Sequence, residues 1–448
     1  MTHNLQSLTD ALIGAALGAG ADGADALAIN GRSVSVDVLS GALEHAERAE
    51  GVDIGLRVLI GQRQACVSAS DTGADTIADM AERAVAMTRE APEDASIGLA
   101  TPKQLAQRAG FPMLDLADPS PEPPPADLET DALRAEAAAL SIRGVSKVQS
   151  ASAGYSSQRM HLATSAGFSA GYERTGRSTS CVAICGNGLS MERDYCGESR
   201  AFQADLPTAE WVGRTAGERA VARKDPRKPP TGAFPVLFDE RISSSLIAHL
   251  LVAVNGGSIV RGSSWLRDAL GEQVLPHGLS LIENPHRERI SGSRPFDGEG
   301  LATRRRAIVD DGVLTGWTLD LSTARRLGME STANASRGTS SPPSPSAGNM
   351  DLTPGSRSRE ELIADMGTGL IVTSMMGSAI NPNTGDYSRG ASGFWVENGM
   401  VAGPVNECTI AGNLRGMLKM IIPANDARDH LSRRIPSLLV EGLTIAGS

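Results

Sequence analysis

Apolar and polar residues alternate with a period of two along most of the first 70 positions, the pattern of half-buried strands. This alternation predicts an antiparallel meander of five short strands, at 24–30, 33–39, 41–46, 52–60 and 64–70. Tight turns are expected at Asn30-Gly31 and Ile60-Gly61. Apolar residues at helical spacing predict flanking helices over 4–18 and 74–90. Residues 1–115 are therefore expected to form an N-terminal α+β domain.

A proline-rich stretch, ADPSPEPPPAD, interrupts this pattern and predicts a connection over residues 116–126. Alternation then resumes between two helical patterns. It predicts, in order, a helix at 127–142, strands at 145–155, 158–165, 168–174, 178–186 and 191–202, and a helix at 207–224. The resulting middle region, 127–225, is expected to be α+β and to continue the N-terminal half.

The longest helical pattern covers residues 238–262. Asp239 stands at the N-cap position, and Gly256-Gly257 is expected to end the helix. Its apolar residues recur at the three- and four-residue spacing of a buried face: Ile242, Leu246, Ile247, Leu250, Leu251 and Val254. We expect this helix to lie at the centre of the domain that follows.

The remainder predicts a large, mostly antiparallel β domain over 226–448 around that helix. A helical turn is expected at 262–271, and at least three strands between 279 and 320. Residues 329–357 are poor in apolar side chains and predict a long loop that is either mobile or functional. A strand at 369–378, a hairpin at Asn398-Gly399, a helix beginning within 406–421 and a closing strand at 438–447 complete the pattern.

Composition excludes some classes of function. A formal charge of −10 argues against nucleic-acid binding, and the basic runs at 304–306 and 433–434 are typical of solvated loops. No stretch has the roughly 18 apolar residues of a membrane helix, and the N-terminus lacks the features of a signal peptide. An odd number of scattered cysteines, five, fits a reducing compartment. The expectation is a cytoplasmic protein without a membrane partner.

Candidate metal and nucleophile sites are weak. Cys181 and Cys185 share one face of a predicted strand, which could bring two thiolates near His161. Zinc sites usually have closer C-x2-C spacing, so inert buried thiols are the favoured interpretation. The chain contains no H-E-x-x-H, G-x-S-x-G or P-loop motif.

The second half carries five ordered segments that together resemble one family. They are FDERISSSLIAHLLVAVNGGSIVRGSSWLRDALGEQV, ENPHRERISGSRPFDGEG, STANASRG, INPNTGDYSRGASGFWVENG and PVNECTIAGNL. These segments resemble the TldD/PmbA family, and most closely its PmbA (TldE) branch. The resemblance spans at least residues 234–448, and the N-terminal meander fits the same layout.

The resemblance implies a cytosolic metallopeptidase of two subunits, one TldD-like and one PmbA-like, which enclose a chamber. Small or unfolded peptides are cleaved inside it, in peptide maturation and antitoxin degradation. The family's zinc is held on the TldD-type subunit by a helix with H-E-x-x-x-H and by a C-terminal cysteine.

In this chain the zinc motif aligns with HLLVAV. His249 remains, but Leu250 replaces the glutamate base and Val254 replaces the second histidine. A catalytic zinc needs about three protein ligands and a base. The C-terminal cysteine is also absent, since Cys408 lies too early. No catalytic residue, metal ligand set or cofactor is therefore expected in this chain, and zinc is expected in a TldD-type partner.

Polar residues of two of these segments are candidates for binding an extended peptide by hydrogen bonds. They are Asn334, Ser336, Arg337, Asn381, Asn383, Thr384 and Tyr387. The alternative is that they form turns that merely suit the backbone. Arg294, Asp297 and Glu299 either shape the chamber wall or form a surface ion pair.

Three functional hypotheses follow. The first is a non-metallated subunit of a heterodimeric metallopeptidase. The second is an independent hydrolase with another group, such as His249 or His161 with a nearby cysteine. The third is a non-enzymatic homodimer that binds peptides or acts as a scaffold.

Overall fold

The computed structural model describes residues 4–447, with the side chain of Ser378 left aside. Its first half is built on one antiparallel sheet with the strand order β3-β2-β1-β4-β5-β6, called the N-terminal sheet below. The elements in chain order are α1 (Leu5–Gly18), β1 (Gly23–Leu39), β2 (Ala42–Ile60), β3 (Arg63–Ala69), α2 (Ala74–Glu90), α3 (Pro125–Leu140), β4 (Val145–Thr164), β5 (Ser169–Cys185), β6 (Glu192–Arg200) and α4 (Ala209–Ala222). Because β4 pairs with β1, the middle region and the N-terminal region share this sheet.

The strands are longer and fewer than the pattern predicts. The turn expected at Asn30-Gly31 is wrong, because β1 continues through both residues, which pair with Val52 and Gly51 of β2. The chain turns instead at Ser40 and Gly41, whose φ angles are both positive at 56° and 75°. The strands predicted separately at 145–155 and 158–165 merge in the same way into β4, and those at 168–174 and 178–186 into β5. The turn predicted at Ile60-Gly61 is confirmed.

Four helices cover one face of the N-terminal sheet. α1 and α2 pack on Ile54, Leu56 and Val58 of β2, while α3 and α4 pack on the valines and alanines of β1, β4 and β5. α3 and α4 touch closely, since a Cβ on Gly213 would lie 1.9 Å from the carbonyl oxygen of Ala135. The predicted helices over 127–142 and 207–224 are confirmed, with ends shifted by about two residues. On the opposite face, residues of the second half, including Leu321, pack against Leu27 of β1 and Leu162 of β4.

The second half contains a closed ring of strands and two smaller sheets. In chain order its elements are β7 (Gly232–Phe238), α5 (Glu240–Ala253), α6 (Gly256–Val260), β8 (Leu281–Glu283), β9 (Arg306–Asp310), β10 (Val313–Leu314), α7 (Leu321–Leu327), β11 (Ala335–Ser336), β12 (Ser344–Pro345), β13 (Met350–Leu352), α8 (Arg359–Met366), β14 (Gly369–Ile380), β15 (Asp386–Glu397), β16 (Met400–Asn413), α9 (Leu414–Lys419), β17 (Ile422–Pro423), β18 (Arg433–Arg434) and β19 (Leu438–Ala446). The largest sheet has the order β16-β15-β14-β7-β19-β17, and β16 also pairs with β19, which closes the ring. The predicted α+β class with mostly antiparallel sheets is confirmed.

The predicted central helix is confirmed as α5. Asp239 caps it by accepting from the backbone N–H of Arg241, and its apolar face packs with Val236, Phe238 and other ring residues in one core. The expected end at Gly256-Gly257 is wrong. α5 ends at Ala253, and Gly256 begins α6 because it packs against α7, where a Cβ would lie 2.7 Å from side-chain atoms of Leu319 and Thr323.

Four further expectations of the C-terminal half meet different outcomes. The hairpin at Asn398-Gly399 is confirmed, with φ angles of 53° and 73°. The helix expected to begin within 406–421 starts only at Leu414, because Asn406 to Asn413 belong to β16. Residues 262–271 form turns rather than a helix, and the 329–357 loop contains β11, β12 and β13 with buried residues among them.

Candidate functional site

His249 lies half-buried on α5, and its ring meets the ring of Tyr387 edge-on, with centroids 5.8 Å apart. Its Nε2 atom is buried and has no hydrogen-bond partner among residues 4–447. Burial lowers the pKa of His249, and the nearby charge of Arg389 lowers it further. Burial likewise raises the pKa of Tyr387 to about 12, and its hydroxyl lies 3.3 Å from Sδ of Met375. His249 is therefore a neutral imidazole beside a neutral phenol.

The positions that would complete a zinc site on α5 are occupied by apolar side chains. Leu250 and Val254 are both 0% exposed and belong to the main core of the second half. Over residues 4–447, no three His, Cys, Asp or Glu side chains come together as metal ligands. Cys408 lies on β16 with its thiol directed at the carbonyl of Ala391, and burial raises its pKa to about 11. A single imidazole with apolar neighbours does not fit a zinc ion.

Asn334 and Arg337 are held inside the protein. The Asn334 amide donates to Oε1 of Glu283 (2.7 Å) and to the carbonyl of Ser346 (3.2 Å). The guanidinium of Arg337 forms an ion pair with Asp25 of β1, where both side chains are 2% exposed. Ser336 pairs with Ser344 in the small β11-β12 sheet. The amide nitrogen of Asn334 and the Nη1 atom of Arg337 thus have partners within the chain, whereas Oδ1 of Asn334 and Nη2 of Arg337 are buried without a hydrogen-bond partner among residues 4–447.

Asn381, Asn383 and Thr384 form an exposed turn between β14 and β15. The side-chain oxygen of Asn381 accepts from the backbone N–H groups of Asn383 (2.9 Å) and Thr384 (3.4 Å), which is an Asx turn. Asn413 fastens this turn by donating to the carbonyl of Thr384. Of the predicted peptide-binding residues, Tyr387 alone reaches His249, and Arg337 lies against the N-terminal sheet instead.

Arg294, Asp297 and Glu299 do not form a surface ion pair. Asp297 and Glu299 are 2% and 5% exposed, and Asp297 accepts backbone N–H groups from Glu299, Leu301 and Ala335. Burial, together with the neighbouring Asp297, raises the pKa of Glu299 to about 8. Arg294 donates to the carbonyls of Ala335 and Ser346. The three residues fix the path of the chain where the two halves meet.

Cys181 and Cys185 are both 0% exposed, so the favoured interpretation as buried thiols is confirmed, and the alternative of a cluster with His161 is wrong. Cys181 pairs with Ala151, and His161 lies ten residues farther along β4, or roughly 33 Å at 3.3 Å per residue. The ring of His161 contacts the hydroxyl of Thr9 at 2.9 Å. Burial raises the pKa of Cys181 to about 12. A buried thiol with a raised pKa, far from His161, is a poor nucleophile.

A large cavity lies elsewhere, on the face of the N-terminal sheet opposite α1, α2, α3 and α4. This sheet groove has a volume of about 1010 Å³ and is bounded on the other side by residues 428–432 of the second half. Its floor consists of small side chains on four neighbouring strands: Gly31 and Ser33 of β1, Ser156 of β4, Gly176, Ser178 and Ser180 of β5, and Gly197 and Ser199 of β6. Ile29, Gln158 and Arg174 lie on the same face at one end of the floor. Over the rest of the floor the side chains are small, so an extended chain can approach the sheet closely there.

An ionic cluster forms one wall of the sheet groove. Glu198 of β6 binds Arg428 (3.0 Å) and Arg200 (2.8 Å), and it lies 3.2 Å from Nε2 of His430. Burial alone would raise the pKa of Glu198, but the contacts with His430, Arg200 and Arg428 outweigh it and lower the pKa to about 2. Arg428 also pairs with Glu240 at the start of α5. The wall therefore joins the sheet groove to the helix of the degenerate motif.

Sequence reasoning missed this groove, although a signal was present. In stretches such as QSASAGYSSQ and GRSTSC, serine and glycine recur at alternate positions opposite the buried apolar ones. That pattern indicates a strand face without bulky side chains.

Comparison with known proteins assigns all three regions of the chain. Residues 24–88 match domain 1 of the PmbA/TldA metallopeptidases, residues 118–224 their central domain, and residues 231–447 their C-terminal domain. Within residues 4–447, no helix has both the length and the apolar character needed to cross a bilayer.

Individual relatives are similar in sequence to this chain over nearly its whole length. The Metalloprotease PmbA of Escherichia coli O157:H7 is 36% identical over 428 residues, which is 95% of this chain and 92% of the relative. A Metalloprotease PmbA homolog of Haemophilus influenzae is 36% identical over 94% of this chain and 91% of its own.

Two solved structures share the fold. A crystal structure from Bacteroides thetaiotaomicron, of a protein described there as a proposed modulator of DNA gyrase, aligns over 100% of both chains with a TM-score of 0.92 and 27% identity. TldE from Thermococcus kodakarensis aligns over 98% of this chain and 100% of its own, with a TM-score of 0.86 and 20% identity.

Proposed function

The chain belongs to the PmbA/TldD metallopeptidase family, and on that premise we propose that it is the subunit without zinc in a two-subunit TldD/TldE-type metallopeptidase. A TldD-type partner supplies the metal and the base. This chain supplies part of the chamber wall and a surface on which small or unfolded peptides lie. The complex works in the cytoplasm, in the maturation of peptides and the degradation of antitoxins.

The observation that carries the proposal is the state of α5. Where a zinc peptidase needs a general base and a second ligand, Leu250 and Val254 are apolar and 0% exposed. Substituting ligands there would place polar groups in the core. The helix α5 still packs against the closed ring of strands, and His249 remains as a neutral imidazole without other zinc ligands beside it.

The sheet groove supports the peptide-binding role. The central part of its floor offers serine hydroxyls from β1, β4 and β5 and small side chains, so binding there depends on peptide backbone and not on particular residues. Its arginines are largely neutralised by carboxylates, as with Glu198 for Arg200 and Arg428. A groove of this kind accepts peptides of varied sequence.

The proposal of an independent hydrolase has less support. The cysteines that might act as nucleophiles are buried, and burial raises the pKa values of Cys181 and Cys408 to about 12 and about 11. Neither His161 nor His249 has a hydrogen bond with a thiol among the described contacts.

Reconstitution tests the proposal. The chain, a TldD-type homologue from the same genome, and their mixture are each assayed for cleavage of an unstructured peptide. We expect cleavage by the mixture to exceed the sum of the separate activities, and we expect none from this chain alone. Changing the glutamate in the partner's own H-E-x-x-x-H to glutamine should abolish the activity. Cleavage by this chain alone, or a mixture that survives that change, would overturn the proposal.

A further inference from the structure

His161 and Ser169 lie side by side on the face of the N-terminal sheet that α1 covers. In the β4–β5 ladder His161 pairs with Gly171, and the next pair on the same face joins Ala163 to Ser169. Gly171 has no side chain, and the imidazole of His161 lies over it, since an added Cβ there would be 3.2 Å from Cδ2 of the ring. Nε2 of His161 thereby comes to 3.4 Å from Oγ of Ser169, which is exposed.

The contact with α1 fixes which ring nitrogen of His161 carries the proton. Nδ1 of the ring lies 2.9 Å from Oγ1 of Thr9. Thr9 donates its one hydroxyl proton to the carbonyl oxygen of Gln6, also at 2.9 Å, so its Oγ1 accepts from Nδ1–H of His161. In a neutral imidazole with a proton on Nδ1, the other nitrogen is an acceptor. Nε2 of His161 therefore presents a lone pair to the hydroxyl of Ser169.

The imidazole of His161 is uncharged at neutral pH. Burial lowers its pKa, because the charged form loses solvation. Among the charged groups that act on the ring, Asp10 of α1 raises the pKa and Arg108 lowers it, and the net shift is downward from 6.5. His161 thus has both the tautomer and the charge state of a general base.

Ser169 also lines a small cavity between α1 and the β4–β5 hairpin. The cavity has a volume of about 320 Å³, near the lower end of the range for small-molecule sites. Ile13 and Ala163 are apolar residues of its lining. Gly14 and Gly167 line it too, and an added Cβ on either would have no described atom within 4 Å. A small acyl group therefore has room beside the hydroxyl of Ser169.

We propose that Ser169 is a nucleophile activated by His161 and that it accepts a small acyl group from an ester. Oγ of Ser169 attacks the ester carbonyl carbon while Nε2 of His161 takes the hydroxyl proton. The bond from that carbon to the leaving oxygen then breaks, and the proton passes from Nε2 to the leaving group or to water. An acyl-serine remains, which water hydrolyses by the same route. Ser169 and His161 are the catalytic residues, and Thr9 is a positioning residue.

This reactivity is separate from the proposed function. It lies on the face of the N-terminal sheet opposite the sheet groove, and it requires neither zinc nor a TldD-type partner. It concerns esters, whose alcohol leaves more readily than the amine of a peptide bond. It therefore predicts no cleavage of peptides by this chain alone.

Acetylation by p-nitrophenyl acetate tests the proposal. The full chain is treated with this ester, release of nitrophenol is followed by absorbance, and the acetylated residue is located by peptide mass spectrometry. We expect the acetyl group on Ser169 and its loss from that site in Ser169→Ala. His161→Gln keeps a polar side chain beside Ser169 but removes the base. This variant should slow acetylation of Ser169 about 100-fold, the lower end of what a positioned base contributes.

Thr9 supplies a readout of the tautomer. Thr9→Val has a similar shape but removes the acceptor for Nδ1–H of His161, so the ring is free to place its proton on Nε2. Acetylation of Ser169 should slow roughly tenfold, the rate equivalent of one hydrogen bond. Thr9→Ser keeps the hydroxyl and should restore the wild-type rate. A purely structural role of Thr9 would not give this difference between two folded variants.

A matched control and the folding of each variant keep the result interpretable. Ser165→Ala removes an exposed hydroxyl of the same hairpin, which accepts from the backbone N–H of Ala24, and should leave acetylation of Ser169 unchanged. Thermal unfolding shows which variants are folded. Acetyl groups on lysines alone, Ser169 acetylated no faster than Ser165, or an unchanged rate in folded His161→Gln would each overturn the proposal. Peptidase activity of the reconstituted mixture should be the same with Ser169→Ala as with the wild type.

Discussion

Arg337 of the second half forms a buried ion pair with Asp25 at the start of β1, and this contact fastens the 329–357 segment to the N-terminal sheet. Asp25 also accepts from Arg57 at 2.7 Å, so one carboxylate serves two guanidinium groups. Two residues farther along, Thr339 packs so tightly on β2 that a Cβ on Gly55 would lie 2.2 Å from its carbonyl oxygen. The segment predicted to be mobile or functional is therefore a structural link between the halves.

Removing the shared carboxylate should destabilise the protein more than removing one of its partners. Asp25→Ala leaves both Arg57 and Arg337 buried without a counter-ion, and should lower the free energy of unfolding by about 3–5 kcal/mol. Arg337→Met leaves Asp25 with Arg57 and should cost less. Urea unfolding measures both. As a control, Arg267→Ala breaks an exposed ion pair with Asp268 and should cost less than about 1 kcal/mol. An equal effect of all three variants would contradict this account.

Glu299 should make stability depend on pH. Burial beside Asp297 raises its folded pKa to about 8, above the unfolded value of 4.5. The folded state therefore binds its proton more tightly. The stabilisation is complete below about pH 4.5 and is lost as pH rises to about 8. Glu299→Gln mimics the protonated form of the side chain. The free energy of unfolding of this variant should therefore increase relative to that of the wild type as pH rises through this window. Parallel stability curves for the two proteins between these pH values would exclude the effect.

A bulky side chain on the groove floor should block peptide binding. Ser178 lies on β5 at the centre of the sheet groove, with Gly154 and Ser199 opposite it on the neighbouring strands. Ser178→Trp fills the space an extended peptide would occupy, and should weaken binding of a labelled unstructured peptide at least about tenfold in fluorescence polarisation. Thr130→Trp is the matched control, since α3 covers the other face of the same sheet. Equal peptide affinity in both variants would place the binding surface elsewhere.

His249 should be dispensable for stability and activity, whereas the adjacent Leu250 should be needed for stability. His249→Phe keeps a ring against Tyr387 and removes a buried nitrogen that has no partner among the described residues, so the melting temperature should stay the same or rise. Activity of the reconstituted mixture should also be unchanged. Leu250→Ala opens a cavity in the core and should cost about 2–5 kcal/mol. Loss of activity in a folded His249→Phe mixture would show that the imidazole takes part in the reaction.

The sequence predicts elements whose signals are local. The cap at Asp239, the apolar face of α5 and the turn at Asn398-Gly399 need only a few neighbouring residues, and all are found. Asn30-Gly31 has the same turn chemistry but lies inside β1, because β4 pairs along its other side and holds the strand extended. Tertiary pairing overrides the local preference there.

The site is harder to predict because its contacts are distant in sequence. From its sequence context, Arg337 is predicted to be an exposed polar residue of a Ser-rich loop. In the structure it is buried because it forms an ion pair with Asp25, which lies 312 positions away in the sequence. The sheet groove likewise combines β1, β2, β4, β5 and β6 with residues 428–432. In contrast, the replacement of a base and a ligand by Leu250 and Val254 is a matter of residue type, so the sequence alone predicts the degenerate motif.

Metal content measures the central claim most directly. The isolated chain and a separately purified TldD-type partner are each loaded with excess zinc, dialysed, and analysed by inductively coupled plasma mass spectrometry. The account predicts stoichiometric zinc in the partner and none retained by this chain, with His249→Phe giving the same result as the wild type. Stoichiometric zinc in the isolated chain, lost on His249→Phe, would contradict it.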